Sequence, residues 1–196
     1  LPLDVLEATK NIIEGQPVPY DAGRFGGRVF SYVASFGAFT RTSYTTPQSI
    51  KNALGHTAYV LEGIQELTQI RNEHIKMIVD GEVVEDDFLF GAICNSTSVG
   101  GVLTLDPDVV DLQDNKLEIL LVRAPRNLAE LHECILALQD QTYNCAMLTF
   151  RSATHIRIFA DPEMPWTLDG EREEGHSEVE VVPEHLAYRL MKRVQP

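Results

Sequence analysis

Two copies of the triplet Asp-Gly-Glu are the residues of this chain best suited to chemistry. They lie at 169–171, in PWTLDGER, and at 80–82, in MIVDGEVVE. A carboxylate on a tight turn can take a proton from a hydroxyl group within hydrogen-bond reach. Asp-Gly between β-rich segments is also the signal of a type I′ hairpin turn. The triplet therefore favours a turn at Asp80 and leaves a turn or a catalytic base open at Asp169.

A second group of carboxylates lies in LDPDVVDLQDNKLEILLV, residues 105–122, just before a predicted strand. Its aspartates are Asp106, Asp108, Asp111 and Asp114. Closely spaced carboxylates and backbone carbonyls are the ligands that hard cations such as Mg²⁺ prefer. Asp114-Asn115 is equally typical of a turn, because asparagine tolerates the left-handed backbone conformation. The residues alone favour the turn and leave the cation site open, and the segment does not match an EF-hand loop.

Several familiar site motifs are missing from the sequence, which narrows the chemistry. There is no GxGxxG after a predicted strand and no GxxxxGK[ST], the glycine-rich signatures of dinucleotide and P-loop sites. HExxH and GxSxG are also missing, and the six histidines are never paired at zinc spacing. The two acidic groups remain as the candidate sites.

Composition bounds the class of protein and its partners. The chain has 196 residues, of which 44% are hydrophobic and 23% charged, as in an ordinary globular domain. Its 29 acidic residues against 16 basic ones give a net charge of −13, which argues against nucleic acid and against broad adhesion to an anionic membrane. Neither a long apolar run nor a signal peptide is present.

Cysteine usage indicates the compartment. The chain has an odd number of cysteines, namely Cys94, Cys134 and Cys145, and no two of them form a CxxC pair. Reduced, mostly buried thiols of this kind are typical of cytosolic proteins, because disulfides persist in oxidising compartments. The sequence therefore predicts a cytoplasmic protein.

Periodicity predicts which elements position the acidic groups. Helices are predicted from an Asp4 cap to Gly15, from a Thr46 cap onwards, and over 127–139 with Asn127 as the cap. The predicted strands cover 26–39, 75–79, 87–94, 117–123, 145–150, 154–160 and 178–182. Short strands joined by hairpins predict an α+β fold, mainly β, with an antiparallel β-sandwich-type domain and two or three helices.

The order of several segments resembles a known family. NIIEGQPVPYDAGRFGGRVFSYVASFGAF, LGHTAYVLEGI, VGGVLTLDPDVVDLQDNKLEILLV, PWTLDGE and VEVVPEHL follow one another in the chain. Together they resemble the C-terminal half of the bacterial diacylglycerol kinase–like lipid kinases, whose superfamily includes sphingosine kinases and NAD kinases. The resemblance implies that residues 1–196 form the acceptor-binding, catalytic C-terminal domain. The family's GGDGT nucleotide domain is absent from this chain.

The resemblance also implies roles for individual residues. The family's catalytic Leu-Asp-Gly-Glu motif matches residues 168–171, so Asp169 is expected to orient or deprotonate the acceptor hydroxyl. Glu171 is expected to support Asp169 or to help place a nucleotide-bound Mg²⁺. A structural Mg²⁺ is expected at Asp114, with the backbone carbonyls of Asp111 and Lys116 as further ligands. Asn115 stands where the family usually has glycine.

The expected function is phosphorylation of a diacylglycerol-like hydroxyl by ATP, which the missing domain would mainly hold, so this chain alone is expected to be inactive. Two alternatives stay open: a non-catalytic regulatory module that kept the fold, and a kinase for a soluble acceptor such as NAD. The expected partners are the lipid and ATP, together with a transient contact to the inner membrane surface. A homodimer with a second copy of the chain is an open alternative. Phe88, Phe90 and Leu103 are expected to line an apolar pocket, although core packing is the alternative for each.

Overall fold

Two helices and thirteen strands form the described part of the chain, which comprises residues 4–37, 72–99, 103–140 and 145–193 of a computed structural model. The helices are α1 Val5–Glu14 and α2 Leu128–Gln139. The strands are β1 Gln16–Phe25, β2 Arg28–Phe30, β3 Val33–Gly37, β4 Glu73–Val79, β5 Glu82–Cys94, β6 Ser98–Val99, β7 Leu103–Thr104, β8 Leu117–Arg123, β9 Leu148–Ala153, β10 Ile156–Phe159, β11 Trp166–Leu168, β12 Glu171–Glu173 and β13 Glu178–Lys192. Every described strand pair is antiparallel, so the predicted α+β, mainly β fold is confirmed. Neither described helix is long and apolar enough to cross a membrane.

Strand β5 joins the parts of the main sheet. Its first half pairs with β4, and its second half lies between β3 and β8. The register of β5 against β8 shifts between Phe88 and Phe90, and such a bulge bends the strand. The strand order is β12-β11-β3-β5-β4-β10-β13-β1-β2, with β8 pairing β5 and β9 pairing β8. This curled antiparallel sheet corresponds to the sandwich-type domain that the sequence predicts.

The bulge separates neighbouring side chains of β5 into two core clusters. Phe88 packs in a first cluster with Trp166, and Phe90 packs in a second cluster with Leu120 and Cys134. A bulge residue reverses the alternation of side chains, which explains why residues two positions apart face different clusters. Phe88 and Phe90 are both buried in the core, in different clusters, as the core-packing alternative predicts. The side chain of Leu103 lies outside the described part.

The predicted helix caps are present. Asp4 Oδ1 accepts a hydrogen bond from the Glu7 backbone N–H at 2.9 Å. Asn127 Oδ1 accepts bonds from the N–H groups of Ala129 and Glu130, at 2.9 and 3.0 Å. Each cap satisfies donors that have no partner inside the helix, which is why these residues begin helices. The helix predicted after Thr46 lies outside the described residues.

Helix α1 does not bury its apolar face against the described residues. Val5, Leu6, Ile12 and Ile13 are all more than 60% exposed. The helix is held instead along its length by Arg193, which forms ion pairs with Glu7 in the first turn and with Glu14 at the end. The spacing of its apolar residues therefore predicts the helix correctly, but the sequence does not indicate what the apolar face contacts.

The strand predicted over 26–39 is broken in the structure. It forms β2 and β3, which are separated by Ser31 and Tyr32, and residues 38–39 lie outside the described part. The backbone N–H groups of Ser31 and Tyr32 donate to the Asp169 carboxylate and not to a neighbouring strand. The break is therefore produced by a side chain more than a hundred residues away, which local sequence cannot indicate.

Strand β1 is missed by the sequence analysis, because Pro17 and Pro19 argue against a strand. Both prolines lie where β1 pairs only with β13, since β2 pairs with residues 23–25 alone. A proline is tolerated on an edge that needs no donor on that side. The prediction over 117–123 coincides with β8, whereas β13 extends well beyond the predicted 178–182 to Lys192.

Trp166 is the side chain whose loss should damage this fold most. It is 1% exposed and contacts the rings of Phe25 and Phe36 at centroid distances of 4.9 and 5.0 Å. Trp166→Ala should lower the free energy of unfolding by about 3–5 kcal/mol, as expected for an emptied aromatic site. Urea unfolding measures this loss of free energy. The control is Val83→Ala, at a 59% exposed position of β5, which should change the free energy of unfolding by less than about 0.5 kcal/mol. Equal losses in the two variants would contradict the packing described.

Candidate active site

The triplet at 169–171 forms the tip of the β11–β12 hairpin. Leu168 pairs with Glu171 across the turn, and the two residues between them, Asp169 and Gly170, have φ of +50° and +89°. Positive φ at both central residues is the type I′ geometry, which Asp-Gly adopts readily. The turn interpretation of this triplet is confirmed, and the remaining question is where its two carboxylates point.

The carboxylate of Asp169 turns back onto the corner between β2 and β3. Its Oδ2 accepts bonds from the Ser31 N–H at 2.7 Å and the Ser31 Oγ at 3.0 Å. Its Oδ1 accepts bonds from the N–H groups of Tyr32 and Val33, each at 2.9 Å. A carboxylate has about four lone-pair positions, so these four donors use its accepting capacity. In this arrangement the Asp169 carboxylate fixes the corner, and its role as the base stays a prediction.

Asp80 makes the same arrangement at the other Asp-Gly-Glu. Its φ is +47°, and its carboxylate accepts bonds from the Thr154 N–H, the Thr154 Oγ1 and the His155 N–H. Its own N–H donates to the His155 carbonyl at 2.9 Å, just as the Asp169 N–H donates to the Val33 carbonyl at 2.8 Å. Both aspartates therefore tie a hairpin to the residues that lead into the neighbouring strand. The geometry of Asp169 alone is not a mark of catalysis.

Hydrogen bonding also sets the charge state of Asp80. Burial acts to raise the pKa of Asp80, but the hydrogen bonds from Thr154 and His155 outweigh it, so the pKa lies below its usual value. The ionised form is therefore the one that holds the turn.

Glu171 is the carboxylate of the β11–β12 hairpin that remains open to solvent. Its side chain is 79% exposed, and its described partner is Arg28, whose Nη2 lies 3.4 Å from Oε2. Arg28 also forms an ion pair with Glu173. Such an exposed pair holds its partner weakly, so the carboxylate can turn towards a substrate. Of the two predicted catalytic residues, Glu171 has the accessible oxygens and Asp169 the fixed position.

Tyr188 of β13 lies beside this hairpin. Its hydroxyl donates to the Ser31 carbonyl at 3.3 Å, and its ring stacks on Tyr20 at 5.8 Å between centroids. Burial raises the pKa of the Tyr188 phenol, and Tyr20 and the negative charges of Asp169 and Asp21 raise it further. The phenol therefore stays protonated and donates its hydrogen bond to the Ser31 carbonyl.

Asp21 is a site residue that the sequence analysis does not identify. It is fully buried and accepts bonds from the His185 ring Nδ1 at 2.9 Å and the Leu186 N–H at 2.7 Å through Oδ1, and from the Asn115 N–H at 2.6 Å through Oδ2. The two residues whose backbone N–H groups donate to Asp21 both have positive φ, +49° at Leu186 and +61° at Asn115. Asp21 thus joins the acidic loop to β13, on the same strand as Tyr188. An aspartate in a proline-containing stretch gave no sequence signal of this role.

The acidic loop before β8 has the turn geometry that Asp114-Asn115 favours. Asp111 Oδ1 accepts from the Gln113 N–H and Asp114 Oδ1 from the Lys116 N–H, each at 3.0 Å. The ammonium of Lys116 lies 3.4 Å from Asp114 Oδ2. Across the described residues there is no group of three or more acidic, histidine or cysteine side chains that could hold a metal ion. The predicted set of Asp111, Asp114 and Lys116 lies together in one loop, and its binding of Mg²⁺ stays a prediction.

Glu118 is a second residue that the sequence analysis does not single out. It lies on β8 and is 1% exposed, and among the described residues neither carboxylate oxygen has a hydrogen-bond partner of normal geometry. Burial raises the pKa of Glu118 to about 8, with a further contribution from the negative charge of Asp114. The run LEILLV carries a usable signal in retrospect, because a glutamate inside an apolar strand is expected to be buried.

The sequence of this chain is similar to those of known proteins over most of its length. Residues 33–189 match the family described as the YegS C-terminal NAD kinase beta sandwich-like domain. A diacylglycerol kinase of Staphylococcus carnosus is 32% identical over 172 residues, which cover 87% of this chain and 56% of that protein. The chain thus spans about half the length of this curated relative.

Solved structures share the fold. A crystal structure of a diacylglycerol kinase from Bacillus anthracis superposes with a TM-score of 0.66 at 18% identity, over 98% of this chain and 60% of that one. An NAD kinase from Archaeoglobus fulgidus in complex with ATP superposes with a TM-score of 0.54 at 10% identity, over 96% of this chain and 60% of that one. At these identities the likeness concerns the fold alone.

Asp80 gives a pH-dependent prediction. Because its pKa is lowered in the folded protein, its stabilising contribution is complete above about 3.8, the ordinary value, and is lost as the pH falls through the lower folded-state value. Asp80→Ala should cost about 1–3 kcal/mol at neutral pH, and the difference from wild type should shrink in strong acid. Thermal unfolding of both proteins at a series of pH values measures this difference in stability. Glu82→Gln removes a charge from the same turn without touching these bonds and should keep the wild-type profile. A gap for Asp80→Ala that persists unchanged into strong acid would contradict the assignment.

Proposed function

Because the chain belongs to the family of YegS C-terminal NAD kinase beta sandwich-like domains, we propose that it is the acceptor-side half of an ATP-dependent lipid kinase. The acceptor is a diacylglycerol-like lipid with a hydroxyl group. The names of curated relatives support this choice, since those from Staphylococcus carnosus and Bacillus subtilis are both diacylglycerol kinases. The chain spans 56% and 55% of their lengths, so the activity of a whole enzyme is part of the proposal.

The accessible carboxylate of Glu171 is the observation that carries the mechanism. In the proposed reaction it takes the proton of the lipid hydroxyl, whose oxygen forms a bond to the γ-phosphorus of ATP while the bond to the ADP oxygen breaks. Asp169 keeps the β2–β3 corner and the hairpin in one position, so that Glu171 reaches the hydroxyl from a fixed turn. This division of roles departs from the sequence-based expectation, in which Asp169 is the base, because four donors already use its carboxylate.

Charge neutralisation is the other requirement of phosphoryl transfer. Arg28 contacts Glu171 from an exposed side chain, so its guanidinium can turn to the phosphate as the proton leaves the hydroxyl. ATP would be held mainly by a nucleotide-binding domain of the GGDGT kind, a motif that this sequence lacks. The chain alone is therefore proposed to be inactive.

Mg²⁺ is proposed at the acidic loop. Asp114 would supply its side chain and Asp111 and Lys116 their backbone carbonyls, which are the oxygen ligands this ion prefers. The exposed ammonium of Lys116, which lies 3.4 Å from Asp114 Oδ2, would have to leave that carboxylate for the ion to bind. Bound there, Mg²⁺ would neutralise the loop and hold it in one conformation.

The acceptor sets the proposed location. A lipid kinase acting from the cytoplasm must contact the inner membrane surface transiently, and the net charge of −13 makes apolar contact the suitable mode. The exposed apolar side chains of α1 are available for such a contact, or for a second copy in a homodimer.

Paired substitutions in the two hairpins test the mechanism in a full-length protein that contains this chain. Glu171→Gln should reduce turnover by about 10²–10⁴-fold, the typical loss of a general base, with little change in melting temperature. Glu82→Gln, the same change in the other hairpin, should leave turnover unaltered. Asp169→Asn should lower turnover and stability together, whereas Asp80→Asn should lower stability alone. Phosphate transfer from labelled ATP and thermal unfolding give the two readouts.

The acceptor is tested in the same assay with diacylglycerol, a sphingoid base and NAD. Phosphorylation of diacylglycerol supports the proposal. Phosphorylation of NAD alone would replace the lipid with a soluble acceptor, and no transfer to any of the three would favour a non-catalytic module. Wild-type turnover in Glu171→Gln would remove the base assignment whatever the acceptor.

Removal of the proposed metal gives a separate prediction. EDTA should lower the melting temperature of the wild type, because an ion that binds only the folded state stabilises it. The same treatment should leave Asp114→Ala unchanged. Equal shifts in the two proteins would show that Asp114 holds no stabilising cation.

A further inference from the structure

The long ribbon formed by β1 and β13 contains a bulge. Their register shifts between Tyr20 and Ala22, so that Asp21 alone faces the three residues 185–187 of β13. Leu186 in this bulge has a φ of +49° and a side chain that is 42% exposed, so burial offsets little of its backbone strain. Bulges often turn a side chain towards a site, and strained residues cluster at functional positions. The bulge is therefore a candidate functional feature.

The side chain that precedes the strained residue is that of His185. Its ring Nδ1 lies 2.9 Å from Oδ1 of Asp21, a fully buried carboxylate that also accepts two backbone N–H groups. Because a carboxylate in this position accepts, the ring hydrogen lies on Nδ1, and both the tautomer and the orientation of the imidazole are set. The other nitrogen, Nε2, belongs to a side chain that is 50% exposed and has no hydrogen-bond partner among the described residues.

The other histidines that pair with carboxylates in the described part differ from His185 in the burial of the partner. His155 is the nearest match, since its Nε2 lies 2.7 Å from Glu180 and its side chain is 45% exposed. Glu180, however, is 52% exposed, and the carboxylates beside His74 and His176 are at least 15% exposed. Exposed pairs hold a ring loosely, whereas a buried, fully bonded carboxylate holds it in one position. A fixed position is what a ligand-binding group needs.

Tyr188 connects this imidazole to the β11–β12 hairpin. It lies three residues beyond His185 on β13, and its hydroxyl donates to the carbonyl of Ser31. The N–H of Ser31 donates in turn to the Asp169 carboxylate. The charges of Asp169 and Asp21 both raise the pKa of the Tyr188 phenol, which places both carboxylates near it. The two carboxylates already accept the donors around them, so the nitrogen Nε2 is the atom of this group that is left for a ligand.

We propose that His185, oriented by Asp21, binds a phosphate group through Nε2. The proposal rests on the proposed function, which brings the γ-phosphate of ATP and the phosphate of the lipid product to this hairpin. One proton lies between Nε2 and a phosphate oxygen. Either the imidazolium supplies it, with its charge balanced by Asp21, or the phosphate monoanion does. His185 thereby adds a hydrogen-bonding group for phosphate to a chain whose net charge of −13 by itself repels it, and Asp21 acts as a positioning residue.

Two matched variants test this role in a full-length protein that contains this chain. His185→Asn places an amide N–H close to the position of Nδ1, which keeps the bond to Asp21, and removes Nε2. It should lower kcat/KM for transfer from ATP by about 10–100-fold, the loss of a hydrogen bond to a charged group, with a melting temperature near that of the wild type. His155→Asn, in the matched exposed pair, should leave both values unchanged. A wild-type kcat/KM in His185→Asn would overturn the proposal.

NMR of ¹⁵N-labelled histidine rings gives a readout that needs no turnover. The His185 ring is recognised by its absence from His185→Asn. If that variant does not fold, the ring is recognised by its Nδ1 hydrogen, which exchanges slowly because the accepting carboxylate is buried. An ATP analogue that cannot be cleaved, or glycerol 3-phosphate as the soluble head of the lipid product, should shift the Nε2 signal of His185 and leave that of His155 in place.

The two ligands distinguish the sources of the phosphate. A shift with the ATP analogue assigns the contact to the nucleotide, and a shift with glycerol 3-phosphate alone assigns it to the product. No shift with either ligand, or an equal shift of the His155 ring, overturns the phosphate site even where transfer to a lipid is observed. A shift confined to His185 in a protein that phosphorylates no acceptor would instead keep the phosphate site and remove the proposed kinase function.

Discussion

The buried carboxylate of Asp21 is the interaction on which the arrangement of the candidate site depends. A fully buried charge is costly unless hydrogen bonds replace its hydration, and here His185, Leu186 and Asn115 supply them. The backbones of Leu186 and Asn115 both adopt positive φ, a conformation that non-glycine residues rarely take without compensation. One carboxylate therefore holds the conformations of two segments, the acidic loop and β13. Because Tyr188 lies on β13 and contacts the Ser31 carbonyl, the position of the β11–β12 hairpin is linked to the acidic loop through the same strand.

The two Asp-Gly-Glu hairpins show how far geometry alone can separate structure from function. Asp80 and Asp169 make nearly the same hydrogen bonds, and each following glutamate, Glu82 or Glu171, forms an exposed ion pair with an arginine. The difference lies in the surroundings, since only Asp169 lies beside Tyr188 and the linked aspartate Asp21. A repeated local structure thus serves the sheet at both places, and on the proposed function it serves catalysis at one of them.

Sequence predicted those features whose cause is local. The Asp4 and Asn127 caps, the Asp80-Gly81 turn and β8 are all present, because caps, turns and apolar runs depend on neighbouring residues. The break between β2 and β3 and the role of Asp21 were missed, since their causes lie at residues distant in sequence. The resemblance to lipid kinases names the loop and the hairpin as candidate sites, and both stay predictions. The proposed division of roles between Asp169 and Glu171 rests on the hydrogen bonds of the Asp169 carboxylate, which come from residues distant in sequence.

Carboxylates predominate in this chain of net charge −13, and the exposed Glu171 and the loop residue Asp114 each contact one cation, Arg28 and Lys116 respectively. Phosphoryl transfer brings more negative charge to such a surface, so its cations must come with the nucleotide or from bound metal. On this reasoning an uncharged lipid approaches without repulsion, whereas its phosphorylated product is repelled by the carboxylates that remain. On the proposed function the acidity of the chain would then favour release of the product. Charge sets the direction of this effect, and screening by salt limits its size.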